Sequence, residues 1–194
     1  VTSCGFGECV EAAAGAIEYL LDNGYKDISI IEGAWVGDDT ARAYAASGMG
    51  AMAKRYGVPT YDLKRDAARP VDTPAGPIKI CRRALDAGFL INMPVLKGHC
   101  QTRLTCALKN LKGCIPDGEK RRFHALGLHK PIAALAAALR PPLTIADGIC
   151  GDLDFEEGGN PVEANRMLLS EDMVALDAFA CRLMGLKTDE VEYI

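Results

Sequence analysis

Hydrophobic and polar positions along this chain alternate in two rhythms, and the switches between them mark the elements. Residues 8–23 repeat their apolar positions at helical spacing and run into Gly24, the residue type that closes a helix in the left-handed conformation. Residues 28–32 form a short apolar run of strand type. The helical period returns over 38–56, interrupted around 47–50, and 58–63 is strand-like again. Residues 65–76 are polar and rich in Pro and Asp, which predicts a loop. Strands are predicted at 77–81 and 88–93, and a helix at 102–112, closed by Gly113. A second helix over 128–140 is stopped by Pro141 and Pro142. A strand at 143–147 ends in Asp147-Gly148, and an acidic, Gly-rich loop covers 151–163. A strand at 166–170 and a helix at 171–185 complete the pattern.

Helices and apolar strands in alternation predict an α/β fold. It is a layered domain whose central sheet is largely parallel or mixed and flanked by helices. No repeat or linker divides the 194 residues, so 1–194 reads as a single domain, and as a fragment of a longer protein.

Composition narrows the function classes. Hydrophobic residues make up 49% and charged residues 25%, enough apolar mass to exclude global disorder. The longest apolar run, 132–139, is far short of the ~18 residues of a membrane span, so no membrane partner is expected. No leader pattern is visible at the start, and a cytoplasmic location is the expectation. The net charge of −4 argues against a general nucleic-acid binder. Eight cysteines are present without any C-x-x-C pair, the spacing that zinc and iron–sulfur sites normally use. Cys100, Cys106 and Cys114 are the closest grouping. The plain reading is reduced thiols packed as small apolar side chains.

Charge is unevenly distributed. Residues 97–130 hold eight basic side chains and two acidic ones, a local +6 that leaves −10 for the rest. All three histidines, His99, His124 and His129, fall in the same segment. The asymmetry points to an electropositive patch for an anionic ligand; the alternative is a solvated surface.

The patch coincides with a strand end. Strand 88–93 runs into Pro94-Val95-Leu96-Lys97-Gly98-His99, with a helix expected from about Thr102. Ligands of open α/β sheets sit beyond the carboxyl ends of strands, and a helix N-terminus favours an anion. Gly98 would allow close approach to a ligand, Lys97 supplies a point charge, and His99 a donor or proton carrier. Thr102 either joins this site or simply caps the helix. On the helix, Leu104, Leu108 and Leu111 form the core stripe, while Thr105, Lys109 and Lys112 form a polar flank. Lys109 is assigned to the site and Lys112 to the helix dipole.

Three acids complete the candidates. Asp177 falls on the apolar stripe of its helix between Met173 and Met184, so its carboxylate points at the core and needs a partner, either a site lysine or a structural one. Asp172 falls in the first helical turn, where acids suit the dipole. Asp147 stands at a strand end, as a site acid or a turn residue. The cluster Asp152, Asp154, Glu156 and Glu157 lacks the EF-hand offsets and reads as a solvated loop.

Several of these motifs resemble one family. Asn92-Met93-Pro94-Val95-Leu96-Lys97-Gly98-His99, then Leu104-Thr105 and Leu108-Lys109-Asn110-Leu111-Lys112-Gly113, are similar to the signature of domain of unknown function 362. His124, Asp147-Gly148, Gly158-Gly159-Asn160-Pro161, Ser170 with Asp172 and Asp177, and Met184-Gly185 extend the match. The resemblance implies an α/β domain of an iron–sulfur-associated family, many of whose members carry ferredoxin-like cysteine motifs. This chain lacks such a motif and an upstream Lys-Pro-Asn element.

The reading is an enzyme or cofactor-binding domain for a phosphate- or carboxylate-bearing small molecule. Lys97, Gly98, Thr102, Lys109 and Asn110 bind the ligand. His99 or His124 acts as acid or base, with Asp177 or Asp147 orienting a partner. An activity would be that of an oxidoreductase or another enzyme acting on an anion. No metal ligands are assigned; an iron–sulfur cluster would belong to the full-length protein, because the cysteine spacing here does not support one. The alternative function is an iron–sulfur-associated electron-transfer module. A nucleic-acid surface at Arg121-Arg122-Phe123-His124 is opposed by the overall charge. Oligomeric state is left open.

Overall fold

Residues 8–154 and 160–194 are described by a computed structural model, and the chain folds as the α/β pattern predicts. Helix α1 (Glu8–Asp22) comes first, followed by β1 (Ile30–Glu32). Two helices, α2 (Thr40–Ser47) and α3 (Met49–Tyr56), then cross over to β2 (Thr60–Asp62). Strands β1 and β2 pair in parallel, with Glu32 beside Asp62. The break predicted at 47–50 is Gly48, whose φ of +78° ends α2 and begins α3. Ala13, Ala14 and Ile17 of α1 meet Met52 of α3 and Val58 in a small core of their own.

The stretch predicted as a loop at 65–76 contains a strand. β3 (Ala68–Val71) pairs antiparallel with β4 (Ile78–Cys81). Two of its four residues are exposed and none is buried, so an edge strand of this polarity carries little apolar signal. A one-turn helix, α4 (Arg82–Leu85), leads on. The predicted strand 88–93 shortens to β5 (Ile91–Asn92).

The largest difference follows. Residues predicted to begin a helix at Thr102 form a hairpin instead: β6 (Lys97–His99) pairs antiparallel with β7 (Arg103–Thr105). The reason is local. The amides of Gln101 and Thr102 are taken by the His99 ring, and Arg103 adopts φ +62°, outside the helical region. Only then does the chain turn helical, as α5 (Ala107–Asn110) and a 3-10 turn (Leu111–Cys114). Leu104, Leu108 and Leu111 are all buried as the stripe predicted, although Leu104 is in a strand.

Helix α6 (Asp117–Ala125) escaped the apolar pattern because Phe123 is its one buried apolar side chain; Glu119 and Lys120 are the others buried on it. Helix α7 (His129–Leu139) follows the predicted 128–140 closely.

Strand β8 (Leu143–Asp152) does not stop at Asp147-Gly148. It pairs with β5 in parallel and with β9 (Pro161–Ser170) antiparallel, so the sheet β5-β8-β9 is mixed. Where a turn was expected there is a bulge: the register shifts between Gly148 and Cys150, and Asp147 Oδ1 accepts the Ile149 N–H at 2.9 Å. Asn165 on the facing strand takes φ +52°. Much of the predicted loop 151–163 is therefore strand, while Glu156, Glu157 and Gly158-Gly159 lie outside the described residues. Helix α8 (Met173–Leu183) closes the core, capped by Asp172, which accepts from Val174 and Ala175. Leu104, Leu108, Phe123, Ile132, Leu135, Ala146, Leu168 and Leu176 pack together beneath the hairpin. Among the described residues no helix is long and apolar enough to cross a membrane.

Candidate functional site

The hairpin β6–β7 lies along the later half of β8. Leu96 donates its N–H to Asp147 O at 2.7 Å, and Asp147 donates to Pro94 O at 2.8 Å, closing a parallel bridge between Val95 and Asp147. Further on, the backbones press together. A Cβ at Gly98 would stand 2.0 Å from Leu153 O, and one at Gly151 would stand 2.1 Å from Leu96 O. The close approach that Gly98 permits is thus to the protein's own chain. It also brings Asp147 and Lys97, predicted from distant segments, into one neighbourhood.

Register places the polar side chains. Lys97 faces Thr105 across the hairpin, and His99 faces Arg103. Residues 97 and 99 share one face of the strand, opposite Gly98. Lys109, one turn into α5, donates from Nζ to Thr105 Oγ1 at 2.8 Å. Both lysines thus stand beside Thr105, Lys109 by hydrogen bond and Lys97 by strand register, and they are 7% and 6% exposed. Thr105, the hub, was visible in the sequence only as part of a polar flank.

His99 is 7% exposed. Its Nδ1 accepts from Gln101 N at 3.0 Å and Thr102 N at 3.1 Å, so it seals the hairpin turn. Thr102 is fully buried, and its hydroxyl donates to Leu104 O at 3.1 Å. It is a turn residue, since no helix begins there. Arg103 reaches out to Glu190 at 3.1 Å.

Asp177 is 0% exposed, as its place on the apolar stripe required. Its partners are amides: Oδ1 accepts from Ala107 N at 2.7 Å and Oδ2 from Leu108 N at 3.0 Å. A residue of α8 thereby caps α5, the element that presents Lys109. Burial pushes Asp177 up to about 6, against the pull of those two amides and of the Cys106 thiol. Cys106 is itself raised well above the ordinary thiol range, by burial first and then by Asp177.

Asn110 lies beside Lys109, with its side-chain amide committed to the scaffold. Its Nδ2 donates to Asn92 Oδ1 at 2.9 Å, and Asn92 Nδ2 donates to Ala107 O at 2.9 Å. Asn92 thus fastens α5 to the end of β5. A buried Asn within an apolar strand is the signal that would have marked it.

His124 is on the exposed side of α6, its Nε2 3.4 Å from Lys112 Nζ. Both residues stand on elements other than the hairpin, Lys112 on the 3-10 turn after α5 and His124 on α6. The wider basic segment also divides. Lys120 is buried, donating to Gly33 O at 3.0 Å and Ala34 O at 2.6 Å, and burial lowers its pKa. Arg122 is taken by Pro77 O and Glu119.

The predicted grouping of Cys100, Cys106 and Cys114 is divided among different surroundings. Cys100 is exposed at the hairpin turn, Cys106 is buried against Asp177, and Cys114 is pushed up to about 12 by burial, with Glu32 adding to the shift. Among the described residues no three of His, Cys, Asp or Glu stand together as metal ligands.

The sequence profile of the domain of unknown function DUF362 matches residues 9–182. A thylakoid-associated protein of Synechocystis sp. is 34% identical over 111 residues, which covers 52% of this chain and 33% of that protein. The chain thus spans about a third of that relative's length. By the profile match across nearly its whole length, the chain belongs to the DUF362 family.

Proposed function

We propose that this DUF362 domain binds a phosphate- or carboxylate-bearing small molecule on the hairpin face formed by Lys97, His99, Thr105 and Lys109. The observation that supports this is the Lys109–Thr105 hydrogen bond, set opposite Lys97 in the hairpin register where β6 lies along β8. Two lysines on adjoining elements, both of low exposure, supply cationic groups where screening by water is limited. An oxyanion meets that potential with charge-assisted hydrogen bonds. The scaffold holds the groups in place: Asp177 caps α5, Asn92 ties it to β5, and the His99 turn sets the hairpin. Asp147, bridged to Val95, is an acid that β8 brings alongside this segment.

The test is calorimetric titration at constant ionic strength with inorganic phosphate and with small mono- and dicarboxylates. Constant ionic strength matters because phosphate stabilises folded proteins generically by exclusion. Saturable binding that weakens in Lys97→Met and Lys109→Met is expected. Binding equal in the parent and both variants would refute the assignment, as would no binding of any of these anions.

A further inference from the structure

We infer that the outward face of α8 is a contact between two copies of this chain, paired antiparallel about a two-fold axis between Ala175 and Ala178.

A flanking helix normally turns an apolar face to the core and a charged face to water. Helix α8 does not. Its inner face is Leu176, Asp177, Ala180 and Cys181, all buried. With about 100° between successive residues, Val174, Ala175, Ala178, Phe179 and Arg182 fall on the opposite face. Val174 is 46% exposed and Phe179 47%, and Ala175 is exposed beside them. Arg182, in the last turn, is the one charge on this face. A helix that is apolar on both faces is one that a partner surface covers.

The charges at its ends say what covers it. Glu171 and Asp172 are exposed at the N-terminal end and Arg182 at the C-terminal end. Asp172 Oδ1 caps the helix, accepting from Val174 and Ala175. Among the described residues, Glu171 and Arg182 have no ion pair or side-chain hydrogen bond within their own chain. An acidic end, an apolar middle and a basic end complement themselves when a second copy is turned end for end. The spacing agrees. At a rise of about 1.5 Å per residue, Arg182 lies about 8 Å along the helix from the proposed axis, and Asp172 about 7 Å on its other side. Arg182 of each copy then arrives at Glu171 and Asp172 of the other. Ala175 and Ala178 at the centre let the two backbones approach, with the Phe179 rings of both copies on one flank and the Val174 side chains on the other. The two helix dipoles run in opposite directions, which adds to the attraction. Eleven residues make a helix about 16 Å long, a smaller face than a standard interface, so the dimer is reversible and depends on concentration.

The experiment is sedimentation equilibrium of the whole chain over a concentration series at low salt. A monomer–dimer equilibrium is expected, and one that weakens as salt rises. Arg182→Glu should weaken the dimer at least tenfold and Glu171→Arg several-fold. Mixed in equal amounts, the two variants should pair with each other more tightly than either pairs with itself, because each Arg then meets a Glu at both ends. Both side chains are exposed, so circular dichroism should show the parent's fold; Arg182→Gln, which only removes the charge, gives the same direction if Arg182→Glu does not fold. A parent that stays monomeric into the millimolar range would overturn the inference. So would a dimer that ignores these substitutions, or a mixture no tighter than its components.

Discussion

Asp177 Oδ2 accepts the N–H of Leu108 at 3.0 Å, joining α8 to the first turn of α5 across 69 residues of sequence. The neighbouring oxygen does the same for Ala107. One buried carboxylate thus satisfies two amides that a helix start leaves without partners inside the helix. Because burial raises Asp177 to about 6 from an ordinary 3.8, the native state holds a proton here that the unfolded state has released. Between about pH 4 and pH 6 the native chain binds more protons, so this group's contribution to stability falls as pH rises through that window. The shift of about two units corresponds to roughly 3 kcal/mol. Asp177→Asn cannot ionise. Urea titrations at pH 4 and pH 7 should therefore show the stability gap between variant and parent moving by about 3 kcal/mol in the variant's favour. A gap that stays constant would mean that Asp177 does not titrate in this range.

Lys120 gives a second prediction. Its ammonium is shared by Gly33 O and Ala34 O, with Asp117 Oδ1 at 3.4 Å. Lys64 holds the next part of the same loop, through Trp35 O at 3.2 Å and Asp38 O at 2.6 Å, and it also contacts Asp117. In Lys120→Met the stem is kept and the charge is lost, leaving two buried carbonyls without their donor. A loss of about 3 kcal/mol in denaturant titration is expected. Trp35 is the single tryptophan and sits on this loop, so its fluorescence anisotropy should fall in the variant before global unfolding. Unchanged stability would show that Lys120 is not the tie for this loop.

These two residues also show what could be read from the sequence. Asp177 was placed correctly because helical periodicity is a local property: its position among Met173, Leu176 and Ala180 dictates burial without knowledge of the partner. The partner, a pair of amides, was not visible, since α5 begins five residues later than its apolar pattern suggests. Lys120 was counted in an electropositive patch because charge counting along a segment ignores which cations the fold consumes internally. The hairpin at Lys97–Thr105 was hidden for a related reason. Its turn is closed by the His99 ring, a side-chain bond that no hydrophobic period reports. Lys97, His99 and Lys109 were nonetheless selected by their types and proximity, and the fold brings them onto adjoining elements.

Gly98 offers a steric test of the frame. An alanine methyl there would meet Leu153 O at 2.0 Å and Leu153 C at 2.4 Å, both backbone atoms that cannot rotate away. Gly98→Ala should cost on the order of 1–3 kcal/mol, the range seen for overpacking. Because the same shift separates β6 from β8, anion binding should weaken with it. A variant as stable as the parent would mean that the β6–β8 approach is looser than the backbone positions require.

The site itself is tested most directly by the coupling between Lys109 and Thr105. Lys109 Nζ donates to Thr105 Oγ1 at 2.8 Å, and Lys97 faces the same residue across the hairpin. A hydrogen bond to a charged group is worth about 1.5–3 kcal/mol, so Lys109→Met should weaken phosphate binding at least tenfold. Thr105→Val removes only the hydroxyl that orients the ammonium, and a loss of a few-fold is expected. If the hydroxyl acts through Lys109, the two losses cannot add: Thr105→Val in the Lys109→Met background should change affinity little. Calorimetric titration of the four proteins measures this cycle. Fully additive losses would assign Thr105 a contact of its own with the ligand and dissolve the link between hydroxyl and ammonium. Rising salt should weaken the parent more than Lys109→Met, because the variant has one fewer cation for an anion to meet.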